Sequence, residues 1–206
     1  MTIQHSPAPA RSDVATTAQK DSAPARPFLL HGRMLSLGAL AWALSLAVFG
    51  PDPHEPLPLV LFGLGSGLFQ IGLLFLLRVL WRTQALGEGR IARAVLRAEA
   101  VAISLAMCST FVDAIAVSDL SQPGWLALDA FWPLSMLGMF LIGIRIAVAG
   151  RWKGVSRFWP VVAESWAVIT VPSNAIFGQT VGGIVGCIHL VVGYAVLGVI
   201  VSGKTD

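Results

Sequence analysis

Apolar residues run along this chain in long blocks separated by short polar stretches. Six blocks cover about 28–50, 57–78, 98–117, 125–147, 158–172 and 176–201. A membrane-spanning helix needs about 20 residues, because roughly 30 Å of hydrocarbon is crossed at about 1.5 Å per residue. The pattern therefore predicts an all-α bundle of six transmembrane helices over residues 28–203. The fifth block is the short one. From Phe158 to Val171 it reaches only about 21 Å before Pro172, so it either crosses a thinned bilayer or dips in and returns. The connections 51–56, 118–124 and 172–175 are short, which makes consecutive helices antiparallel neighbours. Pro133 is expected to kink the fourth helix.

Residues 1–27 are rich in Ala, Pro, Ser and Thr and read as a disordered tail. The Phe28–Gly50 block reads as an uncleaved first span. Composition sharpens the class. Of 206 residues, 55% are hydrophobic and 12% charged, and mean hydropathy is +0.75. A soluble domain carries about twice that charged fraction. A soluble globular enzyme and a disordered protein are both excluded. The net charge of +3 forms no dominant basic patch, so nucleic acid is not an expected partner. The lipid bilayer is, with another membrane protein or a second copy as further candidates.

The basic residues orient the bundle. All fourteen lie in the tail, between the second and third blocks, between the fourth and fifth, or at the C-terminus. The alternate connections hold none, and carry Asp52, Glu55 and Asp119 instead. Positively charged loops stay in the cytoplasm, so both termini are expected there.

Polar groups inside the blocks need a reason, since a charge at a helix centre costs about 2.5–3.5 kcal/mol on insertion scales. Asp113, Asp129 and Glu164 are such acids, with His189 and Gln70 as further buried polar candidates. Asp113 and Asp129 lie about 6 Å in from the outer ends of adjacent helices. They read as solvated at the headgroups, or as a pair that binds a cation or shares a proton. Glu164 and His189 fall on consecutive spans near the midplane and are expected to meet, as a structural pair or a proton relay. Gly178, Gly182, Gly186, His189 and Gly193 form one stripe of the sixth helix, and Gly63, Gly67 and Gln70 one of the second. Such stripes serve close helix packing.

No nucleotide-binding, zinc-protease or hydrolase motif is present, and only His189 is deep enough for a haem ligand. Cys108 and Cys187 sit in apolar blocks as small hydrophobes. No cofactor and no metal are expected.

The segment Leu128-Asp129-Ala130-Phe131-Trp132-Pro133-Leu134-Ser135-Met136-Leu137-Gly138-Met139 is followed by Arg151-Trp152 and by Arg157-Phe158-Trp159-Pro160. This pattern resembles a group of uncharacterised multi-pass membrane proteins of actinobacteria, over residues 125–200. The resemblance implies a multi-pass protein of a bacterial cytoplasmic membrane and brings no activity with it. Two functions stand at this stage. The first is a non-enzymatic binding or accessory membrane protein, favoured because packing alone accounts for the polar inventory. The second is a small transporter or proton-coupled carrier using Glu164, His189, Asp113 and Asp129.

Overall fold

The computed structural model describes residues 26–204, so nearly all of the expected tail lies outside the described residues. Among the described residues the chain is helical throughout, without strands. Five helical stretches are long and apolar enough to cross a membrane. The first three are α1 (Leu29–Phe49), α2 (Pro56–Arg82) and α3 (Arg90–Ala114). The fourth is divided into α4 (Pro123–Asp129) and α5 (Phe131–Ala149). Pro133 has no N–H for the carbonyl of Asp129, and the division falls at that point. The fifth stretch joins α6 (Val155–Glu164), α7 (Trp166–His189), a π-helical turn (Leu190–Ala195) and α8 (Val196–Ser202).

Taken straight, those 48 residues would reach about 72 Å. They fold back instead at Gly178, where φ is 82° and ψ 168°, a conformation open essentially to glycine alone. The two arms then run side by side. Asn174 lies against Gly182, and Thr170 against Gly186. The Trp166 indole donates to the Gly186 carbonyl at 3.1 Å, and the Trp159 indole to that of Gly193 at 3.0 Å. The expected turn at 172–175 is thus displaced. Pro172 sits inside α7, since a proline kinks a helix without ending it when neighbouring helices hold the chain. The first arm is correspondingly longer than the 158–172 block. It starts at Val155 because Gly154, at φ 58°, begins it early.

α1 is the central helix. Its Gly32, Leu35, Gly38, Ala39, Trp42 and Leu46 are buried, while Leu30, Leu37, Leu40, Leu44 and Val48 form an exposed face. The other long helices show the same division, and the exposed sides are large and apolar. A soluble protein rarely leaves such surface uncovered, so the fold suits a membrane location. Close approach replaces large side chains at the crossings. The backbone of Gly72 lies so near that of Leu35 that a Cβ would come within 2.9 Å of the Leu35 Cα.

The two ends of the bundle differ in charge. At one end, Arg151 pairs with Glu88 at 2.7 Å, the Trp152 indole donates to Thr83 at 3.0 Å, and Lys204 Nζ lies 4.2 Å above the Trp152 ring. The other end has the connections 50–55 and 115–122 and the Gly178 reversal, with no Lys or Arg. There Asp119 accepts from the Ser121 hydroxyl at 2.6 Å, the Gln122 amide at 3.1 Å and the Ser121 backbone N–H at 3.0 Å. These bonds hold its carboxyl below the usual carboxylate range. The turn is therefore fully formed at neutral pH and loosens as pH falls through that lowered value.

Candidate functional site

The acidic end of the bundle contains a cavity of about 490 Å³. Asp113 from α3 and Asp129 from α4 line it, together with Thr170 and Asn174 of α7 and Asp52 near its mouth. The Ser109 hydroxyl reaches Asp129 Oδ1 at 3.5 Å. The structure thus brings the two expected acids to one cavity, which is deeper than a headgroup-level pair requires. Its floor is aromatic. Trp42, Trp132 and Trp166 pack on one another with ring centroids 5.1–6.1 Å apart. Trp42 stacks further on Phe69 at 5.0 Å. These geometries are the edge and offset arrangements that aromatic pairs prefer.

Beneath the floor lies a second polar group. Trp42 and Trp132 also border a void of about 20 Å³, lined as well by Gln70, Ser135, Glu164 and Tyr194. Its volume is enough for one water. Tyr194, the chain's single tyrosine, donates to Glu164 Oε2 at 2.7 Å. Both residues are 2% exposed. Glu164 Oε1 and Gln70 Oε1 are buried without a protein partner, while the Gln70 amide donates to Thr110 at 2.8 Å. Irregular backbone frames the pair on both sides. Glu164 ends α6 at the joint at Ser165, where ψ is 4°, and Tyr194 lies in the π-helical turn. Such turns are frequent at functional sites.

No protein-family model, curated protein or solved structure matches the chain.

His189 does not meet Glu164. Its Nε2 lies 2.8 Å from the Val162 carbonyl and 3.2 Å from that of Ala163. Carbonyls only accept, so Nε2 carries the hydrogen and donates. The joint at Ser165 exposes these carbonyls, and the Ser165 hydroxyl donates to Val162 as well, at 2.8 Å. The imidazole thus closes a helix end, and the carboxyl finds a phenol instead. The relay expected between Glu164 and His189 is corrected accordingly.

The glycine stripes also divide. A Cβ on Gly182 would strike Asn174, one on Gly186 would lie 3.1 Å from Thr170, and one on Gly193 3.0 Å from the Ala163 Cα. Gly63 faces Ala114 just as tightly. Gly67 has only ordinary contact with Phe111, at 3.6 Å, and Gly178 faces open space. Gly178 is the reversal and takes no part in packing.

Glu99 was not among the expected acids, because the third block was set to start at 98. The helix starts at Arg90, which places Glu99 about 14 Å along it. It is 7% exposed, and its Oε1 has no protein partner. Its carboxylate fills the space above Gly138, where any Cβ would collide with it. It also lines a cavity of about 640 Å³ at the basic end, with Glu88 and Arg145. The seam Ala102, Ala106, Ser109, Asp113, extended by one more turn, reaches Glu99; that was the available signal. Tyr194, Thr170 and the three tryptophans carried none, since each sits in an apolar run.

Proposed function

We propose that the chain is a small carrier of the bacterial cytoplasmic membrane, with six crossings and both termini in the cytoplasm. The reading rests on one observation: the tryptophan-floored cavity lies directly above the buried Glu164–Tyr194 pair. Binding at discontinuous helices near the midplane is the usual construction of secondary transporters. Glu164 is the group that takes and releases a proton, because a carboxyl held without a cation beside it responds to any change in its surroundings. Six crossings are supported by the reversal at Gly178, which gives arms of about 34 and 36 Å. The orientation is supported by the confinement of every Lys and Arg to one end. Packing alone, as in an accessory protein, explains the glycines and leaves the cavity without a use.

Orientation is tested with Cys108 and Cys187 replaced by alanine. A membrane-impermeant maleimide added to intact cells should label Asp113→Cys and spare Lys153→Cys, and everted vesicles should reverse the pattern. Labelling of Asp113→Cys only in everted vesicles would invert the proposed orientation. Carrier action is read as growth of a bacterial host on a panel of charged and neutral toxic solutes. Expression of the natural chain should shift tolerance to at least one, and Glu164→Gln should remove that shift. Unchanged tolerance across the panel would count against a carrier.

A further inference from the structure

We infer that the cavity at the acidic end binds a lipophilic, monovalent organic cation. The inference rests on the carrier reading for its purpose but not for its evidence. Charge comes first. The lining includes Asp52, Asp113 and Asp129 and no Lys, Arg or His. The nearest basic group at the mouth, His54, is solvent-exposed and turned to Asp52 at 3.6 Å. An anion would meet only repulsion there. The walls come second. Beyond the acids, the floor is Trp42, Trp132 and Trp166, and an indole face attracts a cation through its quadrupole, most strongly where water is excluded. The third observation is an unmatched polar atom. Thr170 is 2% exposed and lines the cavity, and its hydroxyl has no protein partner. A buried hydroxyl without a partner is costly, and an occupant with a polar edge would satisfy it.

Size separates an organic cation from a metal ion. About 490 Å³ falls within the range of small-molecule pockets, roughly 300–1,000 Å³. A bare Ca²⁺ or Mg²⁺ needs six or more oxygen ligands drawn close around it. Among the described residues no cluster of three or more His, Cys, Asp or Glu is placed to hold a metal ion. Two carboxylates in an aromatic cup suit one diffuse positive charge on an apolar body, such as an alkyl- or aryl-substituted ammonium or phosphonium.

Tetraphenylphosphonium and tetraphenylborate share a shape and differ in sign, which makes them the decisive probes. Equilibrium dialysis with the full chain in lipid nanodiscs, corrected against empty nanodiscs, should show saturable phosphonium binding with one site per chain. Asp113→Asn with Asp129→Asn should weaken it about tenfold or more, and Trp132→Leu should weaken it while leaving the acids in place. Tetraphenylborate should show no saturable component. Thermal unfolding of each variant identifies those that remain folded. Absence of saturable phosphonium binding, equal binding of the borate, or indifference of folded acid variants would each overturn the inference. Proteoliposomes separate it from the carrier reading. Saturable binding with no movement of phosphonium across the bilayer keeps the cation site and removes the carrier. Glu164-dependent movement of a neutral or anionic solute, with no phosphonium binding, keeps the carrier and removes the cation site.

Discussion

Gly198→Val is expected to remove most of the folded protein from a detergent extract, and Gly32→Val to do the same. The two glycines face each other where α1 crosses α8. A Cβ on Gly198 would strike the Gly32 carbonyl and lie 2.8 Å from the Ser36 amide nitrogen, and one on Gly32 would strike the Gly198 carbonyl. The obstacles are backbone atoms, so no side chain can rotate away. The Ser36 hydroxyl also donates to the Ala195 carbonyl across this crossing at 2.8 Å, and separating the helices would break that bond. Overpacking a core typically costs about 1–3 kcal/mol, and a backbone-on-backbone clash belongs at the upper end or beyond it. Gly183→Ala is the control, because a Cβ there meets nothing within 4 Å. Size-exclusion yield and thermal unfolding read the effect. A Gly198→Val chain as stable as the natural one would mean that α1 and α8 do not touch.

Tyr194→Phe should destabilise the fold by about 1–3 kcal/mol, the cost of leaving a buried acceptor unmatched. The phenol is the one protein donor to the Glu164 carboxyl, whose other oxygen already has no protein partner. Glu164→Gln should cost much less, because the amide oxygen still accepts from the phenol. The two substitutions thus separate structure from chemistry. The glutamine variant keeps the fold and loses proton-linked movement of any solute, whereas the phenylalanine variant loses stability first. A double-mutant cycle gives the coupling directly. Additive effects would show that the two side chains do not interact, and full transport by Glu164→Gln would free Glu164 of any proton-handling role.

What could be read in advance follows from which forces leave a mark in the pattern. The helical class and the limits of α1 and α2 were legible because hydrocarbon-length apolar runs have no other use. The division of charge between the ends was legible for the same reason, since Arg and Lys are costly to move across a bilayer. The reversal was missed because Pro172 looks like a stop, and the glycine that can adopt φ 82° comes six residues later. Asp113 and Asp129 were recognised as acids on adjacent helices. Their shared cavity depends on Trp42 and Trp166, which come from helices distant in sequence. Glu164 was recognised and its partner was not. Helical phase counted at 3.6 residues per turn pointed His189 inward, but the π-helical turn at Leu190–Ala195 shifts that phase just where Tyr194 lies.

That turn has a consequence for how the chain tolerates insertion and deletion. A π-helical turn accommodates one residue more than an α-helix would over the same rise. Deleting a single residue between Leu190 and Ala195 would let the helix relax to regular α geometry and would rotate everything beyond it by about 100°. Gly198 would swing off Gly32, and a bulkier neighbour, Leu197 or Val199, would be driven toward α1. The frame of the last seven helical residues is therefore set by a local surplus of one residue, and a shorter chain with every named side chain intact would still lose the crossing.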